Sequence, residues 1–219
     1  MTASREIAVE IATGRKQTRR AHAMSYAIVG SGSVGTALAT RFARHGIEVA
    51  ITNTRGADSL GALVNSLGPA VRAVTLQEAL QAGIIILAVP FASHEAVARA
   101  MADWSGKTVI DATNYRDLNL EPIGGLQSSD FVANALPGAK VVKTFNQLPA
   151  ALLAREPNEG AGRRVMFVAG NHEDANAEVA SLVSALGFAP IVLGRVDQGG
   201  RLLRYRGPLV LQNLIMLDV

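Results

Sequence analysis

The chain has 219 residues, 49% hydrophobic and 18% charged, with a mean hydropathy of +0.23, enough apolar side chain for one large core and too little charge for a disordered chain. It contains no cysteine, which excludes a disulfide framework, a thiol nucleophile and any cysteine-based zinc or iron–sulfur site. The formal charge of +3 and pI near 9.6 suggest nucleic acid, yet five of the 21 basic and two of the 18 acidic side chains fall in residues 1–24, leaving sixteen of each for residues 25–219.

The positive excess therefore belongs to a leader carrying Arg5, Arg15, Lys16, Arg19 and Arg20. Its apolar stretch Ile7–Ala12 is broken by Glu10, so it lacks the hydrophobic run of a secretory signal. Residues 1–24 read as a dispensable extension ahead of the domain, or as a basic arm, and no nucleic-acid partner is expected. The longest apolar run beyond them, Ala82–Pro90, is far short of the ~20 residues that span a bilayer. No membrane partner is expected, and the protein is expected to be soluble and cytoplasmic.

In chain order, Tyr26–Gly30 is predicted as a strand, Val34–His45 as a helix with Val34, Leu38 and Phe42 on one face, and Ile47–Thr52 as a second strand. Gly46 is expected to stop that helix. A weaker helix over Asp58–Leu67 ends at Gly68-Pro69, and a short strand covers Ala70–Val74. Thr75 and Glu78 have capping-box spacing for a helix that runs to Gly83. Further strands are read at Ile84–Val89, Thr108–Asp111, Lys140–Phe145, Arg164–Ala169 and Pro190–Leu193, with helices at Ser93–Ala102, Ser129–Leu136 and Glu173–Leu186.

Strands alternating with helices imply βαβ units, hence an α/β doubly wound, mainly parallel sheet with helices on both faces. Residues 25–219 form one domain in this reading, with about 147–219 as a small C-terminal addition completing the acceptor site. The irregular stretch Ala112–Gln127, with Pro122 and Gly124-Gly125, follows a parallel strand and either borders a ligand or is a surface excursion.

Gly30-Ser31-Gly32-Ser33-Val34-Gly35 matches G-x-G-x-x-G, follows a predicted strand and opens a predicted helix. In that setting the first glycine makes the tight turn, the second lets backbone approach a pyrophosphate, and the third lets helix and strand pack closely. The helix N-terminus offers N–H groups to phosphate, and Ser31 and Ser33 add hydroxyls. An NAD site places an acid at the end of the second strand; this chain has Asn53-Thr54-Arg55-Gly56. With no acid to repel it, a 2′-phosphate can meet the Arg55 guanidinium and the Thr54 hydroxyl, so NADP(H) is the expected cofactor.

The runs Tyr26–Gly35, Asn53–Gly56, Leu87–Pro90, Ile110–Asn114, Val142–Asn146, Gly200-Arg201 and Gly207–Leu209, in this order, resemble the NADPH-dependent coenzyme F420 reductase family over essentially Met24 to the C-terminus. The resemblance implies a Rossmann domain with a small C-terminal addition, and hydride transfer between NADP and a deazaflavin. It implies that Ser31–Val34 bind pyrophosphate, that Thr54 and Arg55 bind the 2′-phosphate, and that Ala88, Val89, Pro90 and Thr144 line the nicotinamide end. The small-molecule acceptor is then coenzyme F420 or a flavin.

A deazaflavin takes hydride at carbon and delocalises the charge, so no positioned acid is required, and no residue is assigned a catalytic role. An imine or small-carbonyl reductase would need one, with His94, Lys143 or Tyr115 as candidates. A non-catalytic NADPH sensor is the other alternative. His94 follows Pro90 near the expected nicotinamide, though the face of a surface helix is its plainer home. Lys143 and Asn146 end the sixth strand, where they can meet substrate or ribose, and Asp111 and Asn114 end the fifth, where they can shape the pocket floor. His45 is expected to satisfy a helix dipole and His172 to cap or face solvent. No His, Asp and Glu cluster has metal-ligand spacing, so no metal is expected.

Arg201, Arg204 and Arg206 lie with Tyr205 in a glycine-bounded stretch, Gly199–Pro208. It suits an acceptor bearing phosphate or carboxylate, or is an exposed basic turn. The final run Leu209–Leu217 is apolar on nearly every side and is expected to be buried against the sheet or against a second subunit, making a homodimer.

Overall fold

The computed structural model describes residues 25–115 and 127–218; the leader with His22, and Pro122, Gly124 and Gly125 of the irregular stretch, lie outside them. The first half runs β1 (Tyr26–Val29), α1 (Ser33–Arg44), β2 (Val49–Thr52), a 3-10 turn (Ala57–Leu60) leading into α2 (Gly61–Leu67), β3 (Val71–Ala73), α3 (Leu76–Ala79) and β4 (Ile84–Leu87). A second 3-10 turn (Phe91–Ser93) leads into α4 (His94–Ala98), followed by β5 (Thr108–Asp111), α5 (Ser128–Ala135) and β6 (Lys140–Lys143). The remainder is α6 (Ala150–Ala154), β7 (Asn158–Glu159), β8 (Gly162–Gly170), α7 (Glu173–Ala185), β9 (Ala189–Val192), a 3-10 turn (Gly199–Leu203) and β10 (Ile215–Leu217).

Six strands are parallel in the order β3-β2-β1-β4-β5-β6, the doubly wound Rossmann arrangement in which chain direction across the sheet reverses between β1 and β4. Val29 pairs with both Thr52 and Leu87, Leu87 with Asp111, and Asp111 with Lys143. One transverse row thus ends five strands at the same level, and the next residue of each, Gly30, Asn53, Ala88, Ala112 and Thr144, starts the turn that builds the carboxyl rim.

The apolar strands are buried on both faces because successive side chains point to opposite sides. Ile84 and Ile86 join a core with Leu38 and Phe42 of α1 and Val179 and Leu182 of α7; Ile85 and Leu87 join another with Leu80, Val97, Trp104 and Val132. Thr75 accepts from the Glu78 amide while Glu78 accepts from the Thr75 amide, which caps α3 as expected. Helix α3 ends at Ala79 rather than running to Gly83, and the weak helix expected over Asp58–Leu67 splits at Leu60 into a 3-10 turn and α2.

The C-terminal third departs most from expectation. β8 is nine residues long and pairs antiparallel with β6 through Lys143 and Val142, antiparallel with β7 and β10, and parallel with β9. Between β10 and β6 a side chain substitutes for a strand: buried Gln147 donates to the Val165 carbonyl (3.2 Å) and accepts from the Phe167 amide (2.7 Å). The predicted strand ends at Lys143 instead of Phe145 because Phe145 takes φ = 60°, fully buried. The final apolar run is not buried within the chain: Leu211 is 70% exposed and Leu217 61%, and β10 lies along β8 with Met216 and Leu217 open.

Candidate active site

The three glycines of the first turn do separate work. At Gly30 (φ = 112°) a Cβ would lie 2.3 Å from the Ala88 carbonyl oxygen, and at Gly35 one would lie 1.9 Å from the Gly30 oxygen. A Cβ on Gly32 would meet nothing within 4 Å, so the chain leaves open space there. Gly32 caps α1 with no side-chain hydrogen bond, and the first turn of α1 holds no acidic residue. Its leading N–H groups and positive dipole end therefore face the opening with no carboxylate competing for them, which suits a pyrophosphate.

At the end of β2, Asn53 ties this turn to the next loop. Its Nδ2 donates to Ser31 Oγ (2.9 Å) and to Ser59 Oγ (3.1 Å), and its Oδ1 accepts the Arg55 amide (2.9 Å). The Ser59 hydroxyl donates to the Gly56 carbonyl (2.7 Å). Thr54 and Arg55 are left exposed at the corner of a loop whose backbone is already held. Ser59 was not legible as part of this site; its distance of six positions from Asn53 carries no periodic signal.

The adjoining cleft, about 570 Å³, lies at the β1/β4 switch point and is lined by Gly32, Ser33 and Val34, by Ala88–Ala92 after β4, and by Ala112–Tyr115 after β5. Val89 and Pro90, read from the sequence as nicotinamide-end residues, are among its lining residues. At one end Phe91 packs on Tyr115 with ring centroids 4.8 Å apart. A second hollow of about 510 Å³ lies away from the strand ends between Arg44, Ala154–Glu156 and Asn158–Gly160. Glu156 there bonds both Arg41 and Arg44, and Glu159 bonds Arg164.

Three residues weighed as substrate groups point inward instead. Lys143 is 3% exposed and Asp111 fully buried; Lys143 Nζ donates to Asp111 Oδ2 at 3.0 Å and to the Thr113 carbonyl at 2.5 Å. Asp111 Oδ1 accepts the Thr113 amide (2.9 Å) and hydroxyl (2.6 Å), and Oδ2 also accepts the Ser129 hydroxyl (2.7 Å). Burial alone pushes the Asp111 carboxyl up, but Lys143 and these hydrogen bonds together hold it below the ordinary carboxylate range. The pair thus anchors the cleft wall Thr113–Tyr115.

His94 is also not on a surface face. It is 6% exposed, donates Nδ1–H to the Phe91 carbonyl (2.5 Å) and lies 4.7 Å, centroid to centroid, from the Phe91 ring. The reason is the 3-10 turn before α4, which folds Phe91 back over the first residue of the helix.

Asn146 forms a reciprocal amide pair with Asn114: Asn146 Nδ2 donates to Asn114 Oδ1 (3.1 Å) and Asn114 Nδ2 to the Asn146 carbonyl (2.9 Å). Asn146 Nδ2 also reaches the Leu203 carbonyl (2.7 Å). Thr144, expected at the nicotinamide end, is fully buried at the rim, and its hydroxyl has no hydrogen-bond partner.

His45 meets an Arg41 guanidinium nitrogen rather than only a helix dipole, and burial followed by Arg41 lowers its pKa. His172 stands at the N-cap of α7, exposed and making no side-chain cap bond. Among the described residues no group of three His, Asp and Glu side chains can hold a metal, and no helix is long and apolar enough to cross a membrane.

Residues 25–115 match the family described as NADP oxidoreductase, coenzyme F420-dependent. A hypothetical protein, SMa0349 from Sinorhizobium meliloti, has a crystal structure similar to this one at TM-score 0.84 and 45% identity, over 88% of this chain and 96% of that one. A candidate F420-dependent NADP-reductase from Arthrobacter sp. FB24 is similar at TM-score 0.65 and 28% identity, over 82% and 90% of the two chains. The metalloreductase STEAP3 of Rattus norvegicus is 29% identical over 170 residues, 76% of this chain, which spans only 33% of that protein's length. With the glycine turn, the acid-free corner after β2 and the switch-point cleft in place, residues 25–115 are the part of the chain that matches the family of coenzyme F420-dependent NADP oxidoreductases.

Proposed function

We propose that the protein transfers hydride between NADP(H) and a planar acceptor, a deazaflavin such as coenzyme F420 or a flavin-like ring, and that it does so in the cytoplasm. One observation carries the reading: among the described residues the cleft lining holds no carboxylate, lysine or imidazole, while its end is walled by Pro90 and the Phe91–Tyr115 ring pair. The nearby ionisable groups are spent within the protein, Asp111 on Lys143 and His94 on the Phe91 carbonyl. Such a wall suits a flat ring, and it leaves the Tyr115 phenol as the candidate acid for a ketone that must gain a proton as it gains hydride.

Bound NADPH supplies the hydride. The chain's contribution is alignment and exclusion of water. Ser31–Val34 and the α1 N-terminus take the pyrophosphate, and Thr54 and Arg55 take the 2′-phosphate in a loop that Asn53 holds. Val89, Pro90 and the Thr113–Tyr115 wall, braced by Asp111 and Lys143, set the depth of the nicotinamide.

The test is NADPH oxidation, followed by loss of the reduced-nicotinamide absorbance, with a panel of deazaflavin, flavin, quinone, imine and small-carbonyl acceptors. Turnover confined to the ring acceptors is expected. Turnover of imines or carbonyls alone, abolished by Tyr115→Phe with NADPH affinity kept, would reverse the assignment. Tight NADPH binding with no acceptor reduced would make the protein a sensor module. Arg55→Ala is expected to weaken NADPH far more than NADH; an equal loss removes the 2′-phosphate role.

A further inference from the structure

Ala88–Ala92, at the corner between β4 and α4, line the cleft, whereas His94 at the start of α4 does not. It is buried, as are Val97 and Ala98 of the same short helix. A buried imidazole has two ring nitrogens to strip of water. A leucine there would pack without that cost, so the histidine is to be accounted for by what it bonds.

The Phe91 carbonyl accepts twice from this one residue. The His94 backbone amide closes the 3-10 turn, and the Nδ1–H adds a bond at 2.5 Å. The backbone bond is enough to make the turn. The side-chain bond fixes the plane of the imidazole, which packs on the Phe91 ring with centroids 4.7 Å apart and planes at 45°. Phe91 packs in turn on Tyr115, with centroids 4.8 Å apart and planes at 58°. The three rings form a row from the buried start of α4 to the cleft, and of the three only Phe91 and Tyr115 line it.

The two halves of this aromatic wall are held separately. The Tyr115 side follows Thr113, which is bonded to Asp111 through its amide and to Lys143 through its carbonyl. The Phe91 ring has no polar group of its own, so its rotation is limited only by what packs on it. His94 and Tyr115 are the rings that do so among the described residues.

We propose that His94 is a positioning residue for hydride transfer: it holds the Phe91 ring, and through it Tyr115, at the height where the acceptor ring meets the nicotinamide. This role rests on the planar-acceptor reading above and deepens it, since it assigns the spacing of the two reacting rings to a side chain that touches neither. In the transfer a hydrogen with two electrons passes from the nicotinamide ring to the acceptor ring, and the acceptor takes a proton from solvent. The imidazole neither gives nor takes one. Its effect is geometric, and a misplacement of about 1 Å costs roughly 100-fold in rate.

The probe is 5-deazariboflavin, a planar ring that accepts hydride at carbon. Its single-turnover reduction by NADPH in stopped flow gives the transfer step. Its fluorescence, titrated into the NADP-loaded full chain, gives its affinity and the quenching that stacking on the wall imposes. Three variants are compared with wild type. His94→Leu fills the space without a donor, His94→Asn sets an amide N–H where Nδ1–H stands, and His94→Gln sets it one bond further out.

His94→Leu is expected to slow the transfer step roughly 10- to 100-fold and to lose most of the quenching, with NADPH affinity unchanged. Probe affinity is expected to stay within about threefold, so the loss falls on the rate rather than on binding. His94→Asn is expected to recover both rate and quenching to within about threefold of wild type, and His94→Gln is not. If His94→Leu fails to fold, the Asn and Gln variants, both polar and similar in size, decide the matter between them.

A transfer step unchanged in His94→Leu overturns the positioning role. So does a loss that Asn and Gln share equally, or one accompanied by weaker NADPH binding, since either makes His94 plain core. A wild type that holds NADPH but neither binds nor reduces the probe overturns the planar-acceptor reading and this role with it. A wild type that reduces the probe keeps that reading, and the variants then judge His94 alone.

Discussion

Replacing Lys143 by Met separates a structural ion pair from a chemical one. The change leaves Asp111 fully buried with its charge uncompensated, though the Thr113 amide, the Thr113 hydroxyl and the Ser129 hydroxyl still donate to it. Removing one member of a buried pair costs about 3–5 kcal/mol. With three donors retained the lower end is expected, about 3 kcal/mol, or roughly 6–12 °C in melting temperature for a domain of this size. The double variant D111N/K143M removes both charges. Asn can accept from the Thr113 amide and donate to the Ser129 oxygen, whose proton is free to turn, so the double variant is expected within about 1 kcal/mol of wild type.

The pH dependence gives a second reading of the same pair. In the wild type the folded Asp111 carboxyl is held low, so its contribution is complete above the ordinary carboxylate range and fades as pH falls through the folded value. In K143M burial is opposed by those three hydrogen bonds alone and the carboxyl rises from its wild-type position, so acid costs the variant less than it costs the wild type. Urea unfolding at neutral and mildly acid pH measures both, and the stability gap is expected to narrow on acidification. A gap that stays constant, or a double variant no more stable than K143M, would refute the account.

Asn53→Asp keeps the Arg55 amide bond and lets the Ser31 hydroxyl donate where it now accepts, while Ser59 must choose between the new carboxylate and the Gly56 carbonyl; the main change is the charge. NADPH affinity is expected to fall by roughly 10- to 100-fold, from about 1–3 kcal/mol of repulsion between carboxylate and 2′-phosphate, with NADH affinity equal or improved in the same titration. Gly35→Ala is expected to cost about 3 kcal/mol or more of stability, because its Cβ would strike the Gly30 oxygen, while Gly32→Ala should keep the wild-type melt and lose NADPH binding. We propose that Leu211, Leu214 and Leu217, exposed here, are covered by a second copy of the chain; light scattering that gives a monomer would end that idea. Removal of residues 1–24 is expected to leave the dissociation constant for NADPH unchanged by calorimetry.

The cofactor half was legible in the sequence because its signals are local. A glycine turn, a strand ending in Asn53 and apolar runs such as Ile84–Leu87 each declare their place within a few residues. What escaped was pairing at a distance. Asp111 and Lys143 both end predicted parallel strands, and aligning those ends would have set them side by side as a buried pair, yet each was weighed singly as a pocket residue. His94 was read on helical periodicity, which does not register the 3-10 turn that buries it. The short α6, β7 and β10 have too few residues to carry a period. The polar residues Thr144, Asn146 and Gln147 gave no hint that all three would be buried, since each is satisfied, or left unsatisfied, by groups far along the chain.

Gln147 has a consequence for how the molecule is divided. Where it bridges β10 and β6, the backbone ladder along β8 is interrupted, and one amide side chain fills the gap. Around that gap the C-terminal third is fused to the nucleotide-binding body, through the β6–β8 pairing, the Arg41 bond to the Leu186 carbonyl and the core that α7 shares with α1. Freedom to reshape that third with the seat of the hydride source untouched is therefore confined to the edge beyond Gln147, where β10 lies along β8.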